Sequence, residues 1–107
     1  EGLKPNLYEL IGTPNPAREQ VEFRLYHNRP ETNISVNIMI YDLAGRLLWN
    51  HNENGSSELF KAYIVSWNLT NNSGARLNPG IYLYRAAISS NHSKEATKTK
   101  KLVILAQ

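Results

Sequence analysis

The sequence predicts an all-β fold, an immunoglobulin-like antiparallel β-sandwich of about seven strands. Three observations carry that prediction. Apolar and polar residues alternate at period two in several short segments, turn-forming clusters separate those segments at regular spacing, and no window sustains an apolar period of 3.6.

Gly12-Thr13-Pro14-Asn15-Pro16 is a turn cluster that precludes helix and sets up a strand. Residues 1–13 read as an N-terminal linker or edge segment and 14–107 as the sandwich domain. Val21, Phe23 and Leu25 alternate with Glu22 and Arg24, and Asn28-Arg29-Pro30-Glu31 ends that strand. Ile34, Val36, Ile38 and Ile40 follow at strict spacing and make the strongest strand, because β-branched side chains fit a pleated surface. Asp42-Leu43-Ala44-Gly45 is a tight hairpin turn: Asp42 accepts backbone N–H bonds and Gly45 takes a positive φ. Arg46 to Asn50 returns, with Leu47 and Trp49 on one face, and Asn52 to Ser57 reads as a loop by composition. Tyr63, Val65 and Trp67 alternate in the next strand. A polar stretch containing Gly74 then closes at Pro79-Gly80, where the fixed φ of Pro79 precedes a permissive glycine. The following strand alternates around Tyr82 and Tyr84, and Asn91-His92-Ser93 turns the chain. Thr97 to Leu105 finishes it, with Val103 and Leu105 expected in the core.

A chain of 107 residues is one domain, large enough to bury a core without staples. It has no cysteine, which excludes disulfides and thiolate chemistry. No apolar run reaches the length of a transmembrane helix, and the start at Glu1-Gly2-Leu3 reads as a cut inside a larger protein or a mature fragment. The net charge is +3, and all of the excess falls in residues 94–101, which hold four lysines and one glutamate. Such a row either protects an edge strand or serves as a basic recognition tag.

The search for chemistry excludes more than it finds. His27, His51 and His92 fall in or beside predicted turns, far apart in sequence, and read as solvated loop residues without metal or nucleophile spacing. Asp42 is the sole aspartate, so an aspartate-rich calcium loop cannot be built. No glutamate pair suggests acid and base roles, and the serines lack a strained elbow. The Asn-x-Ser/Thr sequences at Asn33, Asn54, Asn68, Asn71 and Asn91 are what an asparagine-rich chain yields by chance. No catalytic residue, cofactor or metal is therefore expected, nor nucleic-acid binding, since the lysines lack interleaved stacking rings. Tyr82 with Tyr84, and Trp49 with Trp67, leave a glycan-binding aromatic platform as an alternative to core packing.

Two blocks resemble the FlgD-like immunoglobulin domain and the related C-terminal domains of proteins exported by the type IX secretion system in Bacteroidetes. One runs from Pro14-Asn15-Pro16 through Phe23 to the hairpin Tyr41-Asp42-Leu43-Ala44-Gly45-Arg46. The other comprises Trp67, Gly74, Gly80, Tyr82, Tyr84 and Arg85. The ending Thr99-Lys100-Lys101-Leu102-Val103-Ile104 resembles the family's last strand. Relatives often carry aspartates where this chain has Asn68, Asn71 and Asn72, which shape a turn but supply no negative charge. The resemblance implies a non-catalytic sorting or docking module, monomeric as an isolated domain, that belongs at the cell surface or outer membrane. Its implied partners are secretion or outer-membrane anchoring proteins. It further implies a parent of the kind of the family's surface sortase, a gingipain-like cysteine peptidase whose active site lies outside this chain. Lys98, Lys100, Lys101, Val103 and Leu105 are the candidate recognition residues; Asp42, Gly45, Trp67, Gly74, Gly80 and Tyr82 are candidate fold-forming ones. A structural scaffold like that of the flagellar hook cap is a further alternative.

Overall fold

A computed structural model describes residues 7–27, 33–56, 62–90 and 96–107, with the side chains of Leu7, Tyr8 and Ser90 outside the description. The expected breaks at Asn28–Glu31 and Asn91–Ser93 lie outside the described residues, as does His92. Seven strands run in order: β1 (Leu7–Thr13), β2 (Val21–His27), β3 (Asn33–Tyr41), β4 (Leu47–Ser56), β5 (Tyr63–Trp67), β6 (Gly80–Ser90) and β7 (Ala96–Ile104). They form two antiparallel sheets, a three-stranded one in the order β1-β2-β5 and a four-stranded one in the order β4-β3-β6-β7.

The inner faces follow from the alternation. Val21, Phe23 and Leu25 of β2 face Ile34, Val36, Ile38 and Ile40 of β3, and all seven are buried. Burying Phe23 completely contributes about 3 kcal/mol. Rings then connect the sheets: Tyr84, Phe23, Trp67 and Trp49 follow one another at centroid distances of 5.1, 6.1 and 5.3 Å, so the series crosses from one sheet to the other and back. The hydroxyl of Tyr84 also accepts the N–H of Gly12 in β1 at 3.1 Å.

Three expectations about elements are corrected. Residues 52–56 are strand rather than loop, because β4 pairs with β3 along its whole length. Cross-strand amides replace apolar packing there: the side chain of Asn37 donates to Asn50 Oδ1 at 2.6 Å and Asn52 Oδ1 at 2.7 Å, and Ser35 Oγ donates to Asn54 Oδ1 at 2.9 Å. Leu47 and Trp49 do not share a face, since an irregularity sets Ile40 opposite Trp49 and Tyr41 opposite Leu47, leaving Leu48 as the extra residue. In β7 the core residues are Leu102 and Ile104, not Val103 and Leu105, which are half-buried.

The hairpin turn forms as expected. Asp42 Oδ1 accepts the N–H groups of Ala44 and Arg46, both at 2.9 Å, while Gly45 sits at φ 90°. The same turn occurs a second time, which the sequence reading missed. Asn71 Oδ1 accepts from Ser73 at 2.9 Å and Ala75 at 3.0 Å, with Gly74 at φ 88° in the matching place. The main-chain bonds repeat too: Gly45 to Asp42 and Gly74 to Asn71, Asp42 to Arg46 and Asn71 to Ala75. The shared spacing of Asp42-x-x-Gly45 and Asn71-x-x-Gly74 was the available signal. Trp67 holds this second loop in place, its indole N–H donating to the Thr70 carbonyl at 2.8 Å. Between them Leu69 is fully buried at φ 65°, a left-handed conformation that costs an L-residue about 1–2 kcal/mol and is offset by burial of the side chain.

That loop delivers Asn72 to the edge of β4, where its side-chain amide accepts the N–H of Asn50 at 2.8 Å and donates to the Asn50 carbonyl at 3.1 Å. Asn71 only accepts in its turn, whereas Asn72 must both accept and donate. Asn71→Asp is therefore expected to change stability by less than about 0.5 kcal/mol, and Asn72→Asp, which loses its donor, to cost about 1 kcal/mol. Urea denaturation of the two variants measures the difference, and equal costs would refute the distinction.

Candidate functional site

Four of the five predicted recognition residues lie on β7, an edge strand of the four-stranded sheet, and Leu105 follows directly after it. Pairing with β6 decides where each side chain points. Lys98 and Lys100 stand opposite Ala86 and Tyr84, whose side chains are buried, so both lysines lie on the sandwich-facing side at its open rim. There Lys100 Nζ lies 3.6 Å from Glu9 Oε2 of β1, a weak pair because both side chains are largely exposed. Lys101 and Val103 point to the outer face with Leu83 and Ile81. The structure thus splits the lysine row between two faces, with Lys98 and Lys100 on one and Lys101 and Val103 on the other.

The free side of β7 is not uniform. From Lys101 to Leu105 it is occupied by the segment after β1. Asn15 donates to the Lys101 carbonyl at 2.9 Å and accepts the Val103 N–H at 3.0 Å. Ala17 donates to Val103 and accepts from Leu105, both at 2.8 Å. Arg18 and Arg76 add bonds to the carbonyls of Ala106 and Leu105 at 2.8 and 3.0 Å. Antiparallel pairing directs the main-chain groups of alternate residues away from β6, so the edge-directed groups upstream are those of Thr97 and Thr99. Asn15 on β7 and Asn72 on β4 thus apply the same device to the two opposite edges of one sheet. Sequence reasoning could not find them, because the side-chain amides act on residues distant in the chain.

The fold-forming candidates are placed as follows. Gly80 opens β6, and Tyr82 beside it is buried with its hydroxyl donating to the Asn78 carbonyl at 2.5 Å. Burial, and then the nearby charge of Asp42, push the Tyr82 hydroxyl above its ordinary pKa. Asp42 is held below the usual carboxylate range by its bonds to the backbone and side chain of Arg46. The aromatic platform is corrected: Tyr82, Tyr84 and Trp67 are buried and Trp49 packs against the core, so these rings bind the sheets rather than face a ligand.

Two histidines are also corrected. His51 lies within β4, stacked on Trp49 at 5.3 Å and 2.7 Å from Glu53 Oε1, and His27 ends β2, where burial lowers its pKa. Glu53 further accepts the hydroxyl of Tyr63 across the gap between the sheets. Gly55 leaves room for that crossing, since a Cβ there would lie 2.6 Å from the Tyr63 hydroxyl oxygen. Burial draws the Glu53 carboxyl upward, but the bonds from Tyr63 and His51 outweigh it and leave it below its ordinary value. Burial first, and the bond to Glu53 second, push Tyr63 up to about 12. Among the described residues no cluster is arranged to hold a metal ion, and no helix is long and apolar enough to cross a membrane.

A tyrosine raised in the folded state stabilises it while protonated. The contribution of Tyr63 is complete below its unfolded value near 10 and is lost as pH rises toward about 12. Phenolate absorbance titration should show one tyrosine ionising near 12, and Tyr63→Phe should remove that step. A titration unchanged by the substitution would refute the assignment.

The family described as the secretion system C-terminal sorting domain matches residues 13–105. No curated protein sequence matches the chain. Among solved structures, dimeric latent PorU from Porphyromonas gingivalis matches 92% of the chain at 34% identity and a TM-score of 0.81. The chain spans only 9% of that protein's length. A putative β-galactosidase from Bacteroides fragilis matches 92% of the chain over 17% of its own, at 11% identity and a TM-score of 0.57. The C-terminal domain of Wzt matches all of the chain over 76% of its own, at 17% identity and a TM-score of 0.57. These last two share the fold alone. The chain belongs to the family of secretion-system C-terminal sorting domains, the non-catalytic module that marks a protein for type IX export to the cell surface or outer membrane.

Proposed function

We propose that the secretion or outer-membrane anchoring machinery recognises this domain along β7. The observation that carries the reading is the position of β7: an edge strand whose lysines reach both faces of its sheet. Lys98 and Lys100 present charge at the rim, Lys101 presents it on the outer face, and Val103 and Leu105 add half-buried apolar surface. Charge at the rim steers an acidic partner toward the strand. Pairing of a partner strand is a second contribution, because an edge offers main-chain bonds. That pairing is confined to the stretch around Thr97 and Thr99, since Asn15 and Ala17 already hold the edge from Lys101 to Leu105.

The similarity to PorU supports a parent that is itself a gingipain-like cysteine peptidase of the sortase kind, with its catalytic residues outside this chain and the domain retained. A monomeric isolated domain is part of the same reading.

The test is export in a type IX-competent bacterium of a fluorescent protein with an ordinary signal peptide fused ahead of residues 1–107. Surface delivery with the domain's mass retained is expected. Combined Lys98→Glu, Lys100→Glu and Lys101→Glu should strand the reporter in the periplasm without changing the melting temperature by more than a few degrees. Full delivery of that variant would remove the lysines from recognition, and loss of the domain's mass would identify a cleaved signal instead.

A further inference from the structure

The outer face of the four-stranded sheet is divided along its length. Buried Ile38, Ile40, Tyr82, Tyr84, Leu102 and Ile104 point inward, so their neighbours in β3, β6 and β7 point out. Away from the Asp42 hairpin the outward positions are polar apart from Ala87, with Ser35, Asn37, Asn52, Asn54 and Ser89 lining a depression around it. Next to the hairpin they are apolar. Leu47, Tyr41 and Leu83 stand in one row across three strands, Ile81 and Val103 pair in the next, and Leu43 lies in the adjoining turn. Leu43, Leu47 and Ile81 are 65, 49 and 44% exposed, and they include three of the five large apolar residues most exposed among those described. Exposed apolar groups gathered at one end of a sheet and rimmed by polar ones mark a contact surface.

Charge selects the occupant. Among the described residues the outward positions of this sheet carry no carboxylate, while Lys101 stands in the row of Leu83. Asp42 beside the patch is already bonded to Arg46 at 2.8 Å. Two copies meeting face to face would oppose like charges. A bilayer rewards groups that project from a surface, whereas Tyr41, Leu83 and Val103 lie half-buried in the pleat of the sheet. Such a fixed relief suits a folded protein.

We infer that the hairpin end of this outer face is a second docking surface, and that it takes an apolar protein face rimmed with carboxylates on the export or anchoring machinery. This rests on the sorting reading and adds to it a surface that does not depend on the edge of β7. Lys101 and Val103 belong to both surfaces, and Leu47 and Ile81 to this one alone.

The reporter fusion tests it with Leu47→Glu combined with Ile81→Glu, with Lys101→Glu, and with Ile64→Glu as a control. Ile64 is 46% exposed on the other sheet, so its substitution adds a similar charge elsewhere. Surface delivery is expected to fall at least tenfold in the double variant and several-fold in Lys101→Glu, while Ile64→Glu delivers as the unmodified chain does. If the double variant melts early, the milder Leu47→Ser combined with Ile81→Ser carries the test, and its delivery should fall several-fold while its melting temperature stays within a few degrees of the unmodified chain. Delivery by Leu47→Glu/Ile81→Glu equal to the unmodified chain would overturn the inference and leave the sorting reading standing. So would equal loss in Ile64→Glu. An unmodified chain that fails to deliver would remove the sorting reading and this partner together. Two further results reassign the surface and overturn the proposal: a dimer seen by sedimentation that the double variant abolishes, or flotation with phosphatidylglycerol vesicles that it abolishes.

Discussion

The two sheets are joined through a series of rings, and much else in the molecule depends on that seam. Tyr84 meets Phe23, Phe23 meets Trp67, and Trp67 meets Trp49, so each step but one crosses between sheets. Without disulfides, and with no strand of one sheet laddered to a strand of the other, this apolar layer does most of the joining. Bonds from Gly12 to Tyr84, from Tyr63 to Glu53 and from Asn15 and Ala17 to β7 help it. It also fixes the indole of Trp67, whose N–H holds the carbonyl of Thr70. The loop that follows is thereby anchored, Leu69 is driven into the core in an unfavourable backbone conformation, and Asn72 arrives at β4. A packing decision at the centre thus controls which main-chain groups are available at the periphery.

Much of this was legible in the sequence, and the failures have physical causes. Strands β2 and β3 announced themselves because one face is buried and the other is not, the condition under which period two is informative. The last strand failed for the opposite reason. Leu102, Val103, Ile104 and Leu105 are all apolar, so alternation gives no preference between two registers, and only pairing with β6 decides. The far half of β4 was lost because Asn and Gly are read as turn formers, whereas cross-strand amides make them usable in a strand. The Asp42 turn was readable from its own five residues. Of the candidate site, the sequence identified the lysines but not their division between faces, and it gave no sign that Asn15 covers the adjoining edge.

The asparagines take on meaning in this light. An aspartate at residue 71 would satisfy its turn, because only an acceptor is needed there. At residues 15 and 72 the amide imitates a peptide group, offering one donor and one acceptor to a strand, which a carboxylate cannot do. A sheet exposed at both ends is a template for unwanted pairing, and blunting both edges at one end leaves recognition to surfaces of chosen charge. A sorting domain must be read by its machinery while remaining inert to its neighbours.

The link between Asn15 and β7 also bears on the order of folding. These bonds join residues 86 and 88 positions apart, so they close nearly the largest loop the chain can form. Contacts of such long range are assembled slowly and late, because the entropy of closure is lost before the bonds are gained. A chain emerging from one end, whether from a ribosome or through a pore, holds strands β1 to β6 in hand and still lacks the strand that its opening segment is built to meet. Completion of the fold therefore reports that β7 has arrived. The last strand doubles as a checkpoint, paired in its native form only once the strands before it are in hand.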